Sequence, residues 1–333
     1  MNADAAVQIG RNALFAGLPD SELVELAALT TPWAAEPGWT LFHQGEPGED
    51  LLFVSSGRLE ARLTHPSGTT RALGTAGPGE IVGELSLLAG GRRMASVRAL
   101  EPSAGLALSR EAFDLLRLQL RPAARAVAQR IGTVALARLG QRYRQLADEH
   151  RPPDPDSHVD HPAAPLGRSA RVELYRESVS NGYLAETLFF RRFDHEDIQA
   201  LRSGLRVLSA PRGASIPTTD ALWIVLRGAA QTLIGTGSLR RRVRLAGPGR
   251  AVGHLCVLES DAVPVTPEVV LRERAVLLEV PRDRARALLD GDQAHARQFA
   301  GAFHEDVARA LIAAEEPLAP LVHRAPTPSA PPR

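Results

Sequence analysis

The chain contains no lysine, so all 39 of its basic residues are arginine. With plentiful alanine, 28 glycines and 25 prolines, this bias marks GC-rich bacterial codon usage and not a binding surface. The single cysteine, Cys256, excludes an internal disulfide framework and fits a reducing cytoplasm. No apolar run reaches about 18 residues, so no membrane span is expected. Met1 to Gly10 lacks a basic region followed by an apolar core, so no secretory signal is expected and the location expected is cytoplasmic. An excess of either charge is also missing. The net charge of +1 gives no global attraction to nucleic acid or to anionic membranes, and neither is an expected partner. The ten histidines are scattered without metal-ligand spacing. His158, Asp160 and His161 cluster in a proline-rich stretch and read as a solvated loop. What remains is an ordinary globular composition, 44% hydrophobic and 23% charged. Its 333 residues suffice for about two domains of roughly 150 residues.

An internal repeat explains that length. Leu14-Phe15-Ala16-Gly17-Leu18-Pro19-Asp20 reads against Phe189-Phe190-Arg191-Arg192-Phe193-Asp194, each before an acidic-apolar helix. Pro37-Gly38 matches Pro211-Arg212-Gly213, and the run from Leu51 to Gly57 matches Ala221 to Gly228. Ala76-Gly77-Pro78-Gly79-Glu80-Ile81-Val82-Gly83 matches Ala246-Gly247-Pro248-Gly249-Arg250-Ala251-Val252-Gly253. The expected units are residues 12–149 and 184–316. Residues 150–183 form a proline-rich linker with a possible helix at 169–183, and residues 317–333 a proline-rich tail without a fixed fold.

Each unit reads as short strands punctuated by turn residues, which predicts a mainly β fold, a barrel or jelly roll, with flanking helices. In the first unit the strand candidates are 40–42, 51–54, 59–63, 70–73, 97–100 and 105–108. Ser109 is the expected N-cap of a helix containing Glu111, Phe113, Leu115 and Leu116. A longer helix follows Pro122, with an apolar stripe at Ala128, Ile131, Ala135, Leu139, Tyr143 and Leu146 stepping by three and four. Arg138 and Arg142 interrupt that stripe. It could pack on its own barrel or on a second chain, and a homodimer through this helix is the favoured assembly. The basic run Arg240-Arg241-Arg242-Val243-Arg244 falls where a strand is expected and reads as a solvated edge strand.

The segment that carries chemistry is Gly77-x-Gly79-Glu80-x-x-Gly83-Glu84-Leu85-Ser86, followed by Arg93-Met94-Ala95-Ser96-Val97. It sets a carboxylate, which accepts from a hydroxyl, and a guanidinium, which forks onto a phosphate, at the two ends of one short turn-and-helix. It resembles the phosphate-binding cassette of the cyclic nucleotide-binding domain family, which includes the catabolite activator protein and the regulatory subunit of protein kinase A. The resemblance covers residues 12–145 well and 184–310 more loosely. It implies two tandem cyclic nucleotide-binding β-barrels of the double-stranded β-helix type. It also implies a non-enzymatic sensor of cyclic AMP, favoured over cyclic GMP, that regulates a separate protein partner. No obligatory cofactor, metal or catalytic residue is implied. By position, Glu84 would accept from the ribose 2′-hydroxyl and Arg93 would pair with the exocyclic phosphate. The backbone at Leu85, Ser86 and Ala95 would complete the cradle, and Gly83 would admit the sugar closely. Met94 departs from the family, where a small or hydroxylated residue is usual. A base cap would come from the helix spanning Thr133 to Tyr143 or from a neighbouring chain.

The second unit has lost these groups. Gly253-His254-Leu255 replaces Gly83-Glu84-Leu85, Val265 stands opposite Arg93, and no arginine lies between Arg250 and Arg272. Cys256 matches Ser86 and reads as a small buried hydrophobe. One nucleotide per chain is therefore expected. Two other readings remain open: a ligand-free scaffold in both units, and a DNA-binding regulator of the catabolite activator type. The second would need a helix-turn-helix where the linker lies.

Overall fold

A computed structural model describes residues 2–10, 15, 17–64, 68–119, 121–148, 173–174, 179–235, 240–258 and 265–315. The first copy opens with α1 (Asn2–Gly10), α2 (Asp20–Ala28), β1 (Thr30–Ala35), β2 (Thr40–Phe42), β3 (Asp50–Ser56) and β4 (Leu59–Thr64). It continues through β5 (Thr70–Ala76), β6 (Ile81–Val82), α3 (Glu84–Ala89), β7 (Ser96–Ala99) and β8 (Ser103–Ser109), and ends in α4 (Arg110–Leu118) and α5 (Pro122–Asp148). Strand β9 (Glu173–Leu174) and α6 (Asn181–Glu186) follow. The second copy opens with α7 (His195–Arg202), β10 (Arg206–Ala210), β11 (Ser215–Ile216), β12 (Ala221–Arg227) and β13 (Ala230–Ile234). It continues with β14 (Arg241–Ala246), β15 (Ala251–Val252), a 3-10 turn at His254–Val257, β16 (Glu268–Leu271), β17 (Ala275–Pro281), α8 (Arg282–Asp290) and α9 (Ala294–Glu315).

The copies share their strand order, with β9 added at the edge of the second and a 3-10 turn in place of α3. Sheet order β1-β8-β3-β6 is answered by β10-β17-β12-β15, and β2-β7-β4-β5 by β11-β16-β13-β14. Even a bulge repeats, at Val54/Ser56 against β8 and at Val225/Arg227 against β17. The fold is two tandem antiparallel β-barrels with helices, as the strand spacing predicts.

The apolar runs of β3 and β12 show why the strands do not alternate with polar residues. Successive side chains point to opposite faces of a strand. Leu51 and Phe53 enter a helix-lined core, whereas Leu52 and Val54 fill the barrel. Leu222, Ile224 and Leu226 join the same helix-lined core, while Trp223 and Val225 fill the second barrel. Both faces are dry, so both must be apolar. The helical core is thus common to the two copies, and each barrel keeps a core of its own.

Helices α5 and α9 form the centre of that common core. The predicted stripe of α5 is buried at Ile131, Ala135, Leu139, Tyr143 and Leu146, and α9 packs along it. Gly132 makes the close approach, because a Cβ there would lie 2.2 Å from the His304 ring. The stripe that suggested a second chain is therefore covered within this one. Ser109 caps α4 as expected, its Oγ accepting from the Ala112 N–H at 3.1 Å.

Three expectations need correction. Strand β1 contains Pro32 and was not anticipated; it pairs only with β8, at a sheet edge that tolerates proline. Within the helix expected at 169–183, residues 173–174 are strand and pair with Ser209 and Leu208. The basic run does form edge strand β14, but not a wholly solvated one. The β13–β14 register shifts after Thr232, so Val243 and Arg244 are both buried. Residues 150–168 of the linker and the tail from 317 lie outside the described residues, as do His158, Asp160 and His161. No helix among the described residues is long and apolar enough to cross a membrane.

Candidate ligand site

Gly83 is the pivot of the first site. It holds φ at +87°, and a Cβ would lie 2.6 Å from Arg93 Nη1 and 2.8 Å from the Asp50 carbonyl. Any other residue would therefore be strained and would collide with the guanidinium. The turn starts α3, whose six residues are all buried. Arg110, the first residue of α4, secures the far end of the segment. Its Nη1 donates to the Leu87 carbonyl at 3.2 Å and its Nη2 to the Gly48 carbonyl at 2.7 Å.

Arg93 is buried beneath this helix. Nη1 donates to the Asp50 carbonyl at 2.7 Å, to Ser86 Oγ at 2.9 Å and to the Gly83 carbonyl at 3.3 Å. The guanidinium lies 3.8 Å from the centroid of the Phe42 ring, a cation–π contact that fixes its plane. Burial lowers its pKa, opposed by Asp50. Nε and Nη2 make no hydrogen bond among the described residues. One edge of the fork is committed to the protein, and the other lacks an acceptor.

Glu84 is buried too, and its Oε1 accepts from Arg138 Nη1 of α5 at 2.5 Å. Gly83, Glu84, Leu85, Ser86, Arg93, Met94 and Ala95 all line one cavity of 290 Å³. Met94 also packs against the helix-lined core. The structure thus brings these seven expected ligand-site residues to one cavity, whereas Gly77, Gly79 and Glu80 of the pattern do not line it.

It adds groups beyond the cassette, and those of α5 fall within the stretch from Thr133 to Tyr143 expected to supply a base cap. Arg138, Gln141 and Arg142 of α5 border the cavity, as do Leu311 and Glu315 of α9 and Arg71 of β5. Glu315 pairs with Arg71 and, at 3.2 Å, with Arg142 Nε. Glu315 lies far from Arg71 in the chain, so no local pattern could announce the contact.

The second barrel keeps an equivalent cavity of 270 Å³, bordered by Tyr143 of α5, Thr218, Thr232, Gly253, His254 and Cys256. Gly253 repeats the left-handed pivot at φ +83°. The chemistry has changed. His254 Nε2 lies 2.9 Å from Asp306 Oδ2 of α9. The same carboxylate accepts from Arg244 Nη2 at 2.9 Å and from the Ala251 N–H at 3.0 Å. Burial alone would raise the Asp306 pKa, but Arg244 and His254 overcome it and hold the group well below the carboxylate range. Burial lowers the His254 pKa against the pull of Asp306, and its Nε2–H donates to the carboxylate, which can only accept. Cys256 is buried and its thiol is pushed up to about 12, too high for a reactive thiolate. Val265, opposite Arg93, packs against apolar core. Arg282 also borders this cavity, with Nη2 donating to the Thr219 carbonyl. No cluster of metal-ligating side chains occurs among the described residues.

Comparison with known proteins places residues 33–119 in the family described as cyclic nucleotide-binding domain. The chain is 43% identical over 101 residues to the cyclic AMP receptor protein of Thermus thermophilus, a match covering 30% of this chain and 46% of that protein. It is 35% identical over 111 residues to acetyltransferase Pat of Mycolicibacterium smegmatis, covering 33% of each. Less than half the length of these curated relatives is spanned. Among solved structures, the regulatory domain of Toxoplasma gondii PKA with cAMP aligns over 87% of this chain and 92% of that one, at 19% identity and a TM-score of 0.33.

Proposed function

With residues 33–119 a cyclic nucleotide-binding domain, we propose that this chain is a cyclic-nucleotide sensor that binds one nucleotide, in the first barrel, and acts on a separate protein partner. One observation carries the reading. Glu84 and Arg93 border a single cavity, and the guanidinium has an edge without an acceptor. The exocyclic phosphate takes Nε and Nη2 of Arg93, a charge-assisted fork stronger than neutral hydrogen bonds. The ribose 2′-hydroxyl donates to Glu84. The Ser86 hydroxyl, held between the Gly83 carbonyl and Arg93, keeps the guanidinium in plane. Cyclic AMP is favoured over cyclic GMP, because Met94 provides no hydroxyl beside the phosphate to select guanine.

The signal leaves through the helices. A sugar hydroxyl on Glu84 alters the contact with Arg138, and α5 carries that change to α9. Ligand can shift such an equilibrium only by binding its two arrangements unequally. The second barrel acts as a structural or partner-binding module, since its cavity has His254 in place of the carboxylate and no guanidinium at the position of Arg93, and Arg282 on its wall donates to the Thr219 carbonyl. No reaction is assigned to the chain. Calorimetric titration of nucleotide-free wild type, Arg93→Ala and Glu84→Ala with cyclic AMP and cyclic GMP tests the proposal. Wild type binds and both variants weaken; equal affinity in all three, or a wild type that binds neither nucleotide, rejects it.

A further inference from the structure

A cleft between the two copies, distinct from both barrel cavities, is lined by five arginines: Arg117 of α4, Arg191 and Arg192 after α6, Arg250 of the turn before β15, and Arg309 of α9. Only two carboxylates line it among the described residues, Glu305 and Asp306. Five guanidiniums against two carboxylates leave an excess of three positive charges. Glu305 is already divided among Arg191, Arg192 at 3.1 Å and Arg309. Asp306 is engaged by Arg244 and His254, and reaches Arg250 only at 3.5 Å. Arg117 is served least. Its nearest carboxylate, the half-exposed Asp114, is 4.0 Å away, and burial together with nearby Arg192 lowers its pKa.

We propose that this cleft binds a phosphate group, as the free ion or at the end of a phosphate monoester. Converging guanidiniums match the oxygens of a tetrahedral dianion, and a dianion offsets most of the surplus charge. The enclosed volume is only 20 Å³, room for about one water-sized group, so a phosphate places one oxygen in the cleft and keeps the rest at its mouth, and a nucleotide is not engulfed. Arg309 also donates to the Ala89 carbonyl at the end of α3, at 2.7 Å, so the anion sits one side chain away from the cassette helix. Its binding does not require the first barrel to bind anything.

The test is calorimetric titration of the full chain, without cyclic nucleotide, with sodium phosphate, glycerol 3-phosphate and, at matched ionic strength, sodium chloride. Phosphate binds saturably with a dissociation constant of about 1 mM or tighter, and chloride does not. A preference between phosphate and its ester identifies the source. Arg192→Gln, a change at a side chain 42% exposed, weakens binding at least about tenfold, and Arg117→Gln does the same. Arg93→Ala leaves phosphate affinity within about twofold. Should the Arg117 variant not fold, thermal stabilisation of wild type by phosphate but not chloride, lost in Arg192→Gln, gives the same answer by mass action. No saturable phosphate binding by wild type, undiminished binding by folded Arg192→Gln, or loss only in Arg93→Ala overturns the proposal.

Discussion

The two barrels share one topology and differ in how the cassette is tied to the helix that follows it. In the first, Glu84 meets Arg138 of α5, whose side chain is 51% exposed. In the second, His254 meets Asp306 of α9, and both side chains are under 5% exposed. One tie joins the buried Glu84 to a guanidinium half in solvent, which weakens the pair and leaves it open to exchange for a ligand. The other is dry and fully hydrogen-bonded, and breaking it strands a charge. A polar contact between cassette and helix is thus common to both copies; solvent access decides whether it acts as a latch or as a rivet.

The largest effect should come from breaking the rivet. Asp306→Ala leaves Arg244 buried without its partner and should destabilise the chain by about 3–5 kcal/mol, read from chemical denaturation. A loss under about 1 kcal/mol would mean that the buried cluster is not what holds the second cassette.

Next comes Arg93→Ala, which removes the phosphate partner. It should cost about 2–5 kcal/mol of nucleotide affinity, seen as a dissociation constant raised by more than about thirtyfold at unchanged fold. Arg93→Lys should recover only part of that, because an ammonium cannot fork.

A pH titration probes the helices between the barrels. His304 faces Gly132, its Nδ1 has no partner among the described residues, and burial lowers its pKa from 6.5 to about 4. The folded state therefore holds fewer protons than the unfolded one between these values. Stability should be intact above pH 6.5 and fall as pH drops toward 4, by at most about 3 kcal/mol. His304→Leu should flatten that part of the stability curve; an unchanged slope would clear His304 of the role.

The smallest effect belongs to the latch. Arg138→Ala should change stability by less than about 1 kcal/mol. A loss as large as that of Asp306→Ala would erase the distinction between the two ties.

Much of this was legible in the sequence, because it is local. The glycine pivot, Glu84 and Arg93 lie within eleven residues, and the second copy's losses at His254 and Val265 are read by alignment to the first. The ties themselves were not. Arg138 reads as a break in an apolar stripe and as one residue of the cap stretch from Thr133 to Tyr143, but nothing near it in sequence names Glu84 as its partner. Asp306 lies 52 residues beyond His254, on a helix buried almost all round, so no amphipathic contrast marks it. Arg244 looked solvated because a bulge, invisible in composition, turns it inward. The cavity's outer wall, from Arg71 to Glu315, depends on how the two copies pack.

The central claim is that one barrel binds and the other does not. Calorimetric titration of nucleotide-free full-length chain with cyclic AMP measures this directly, through stoichiometry. One nucleotide per chain is expected, held more than about thirtyfold more weakly in Arg93→Ala. Two nucleotides per chain, or one bound with undiminished affinity in Arg93→Ala, would contradict this.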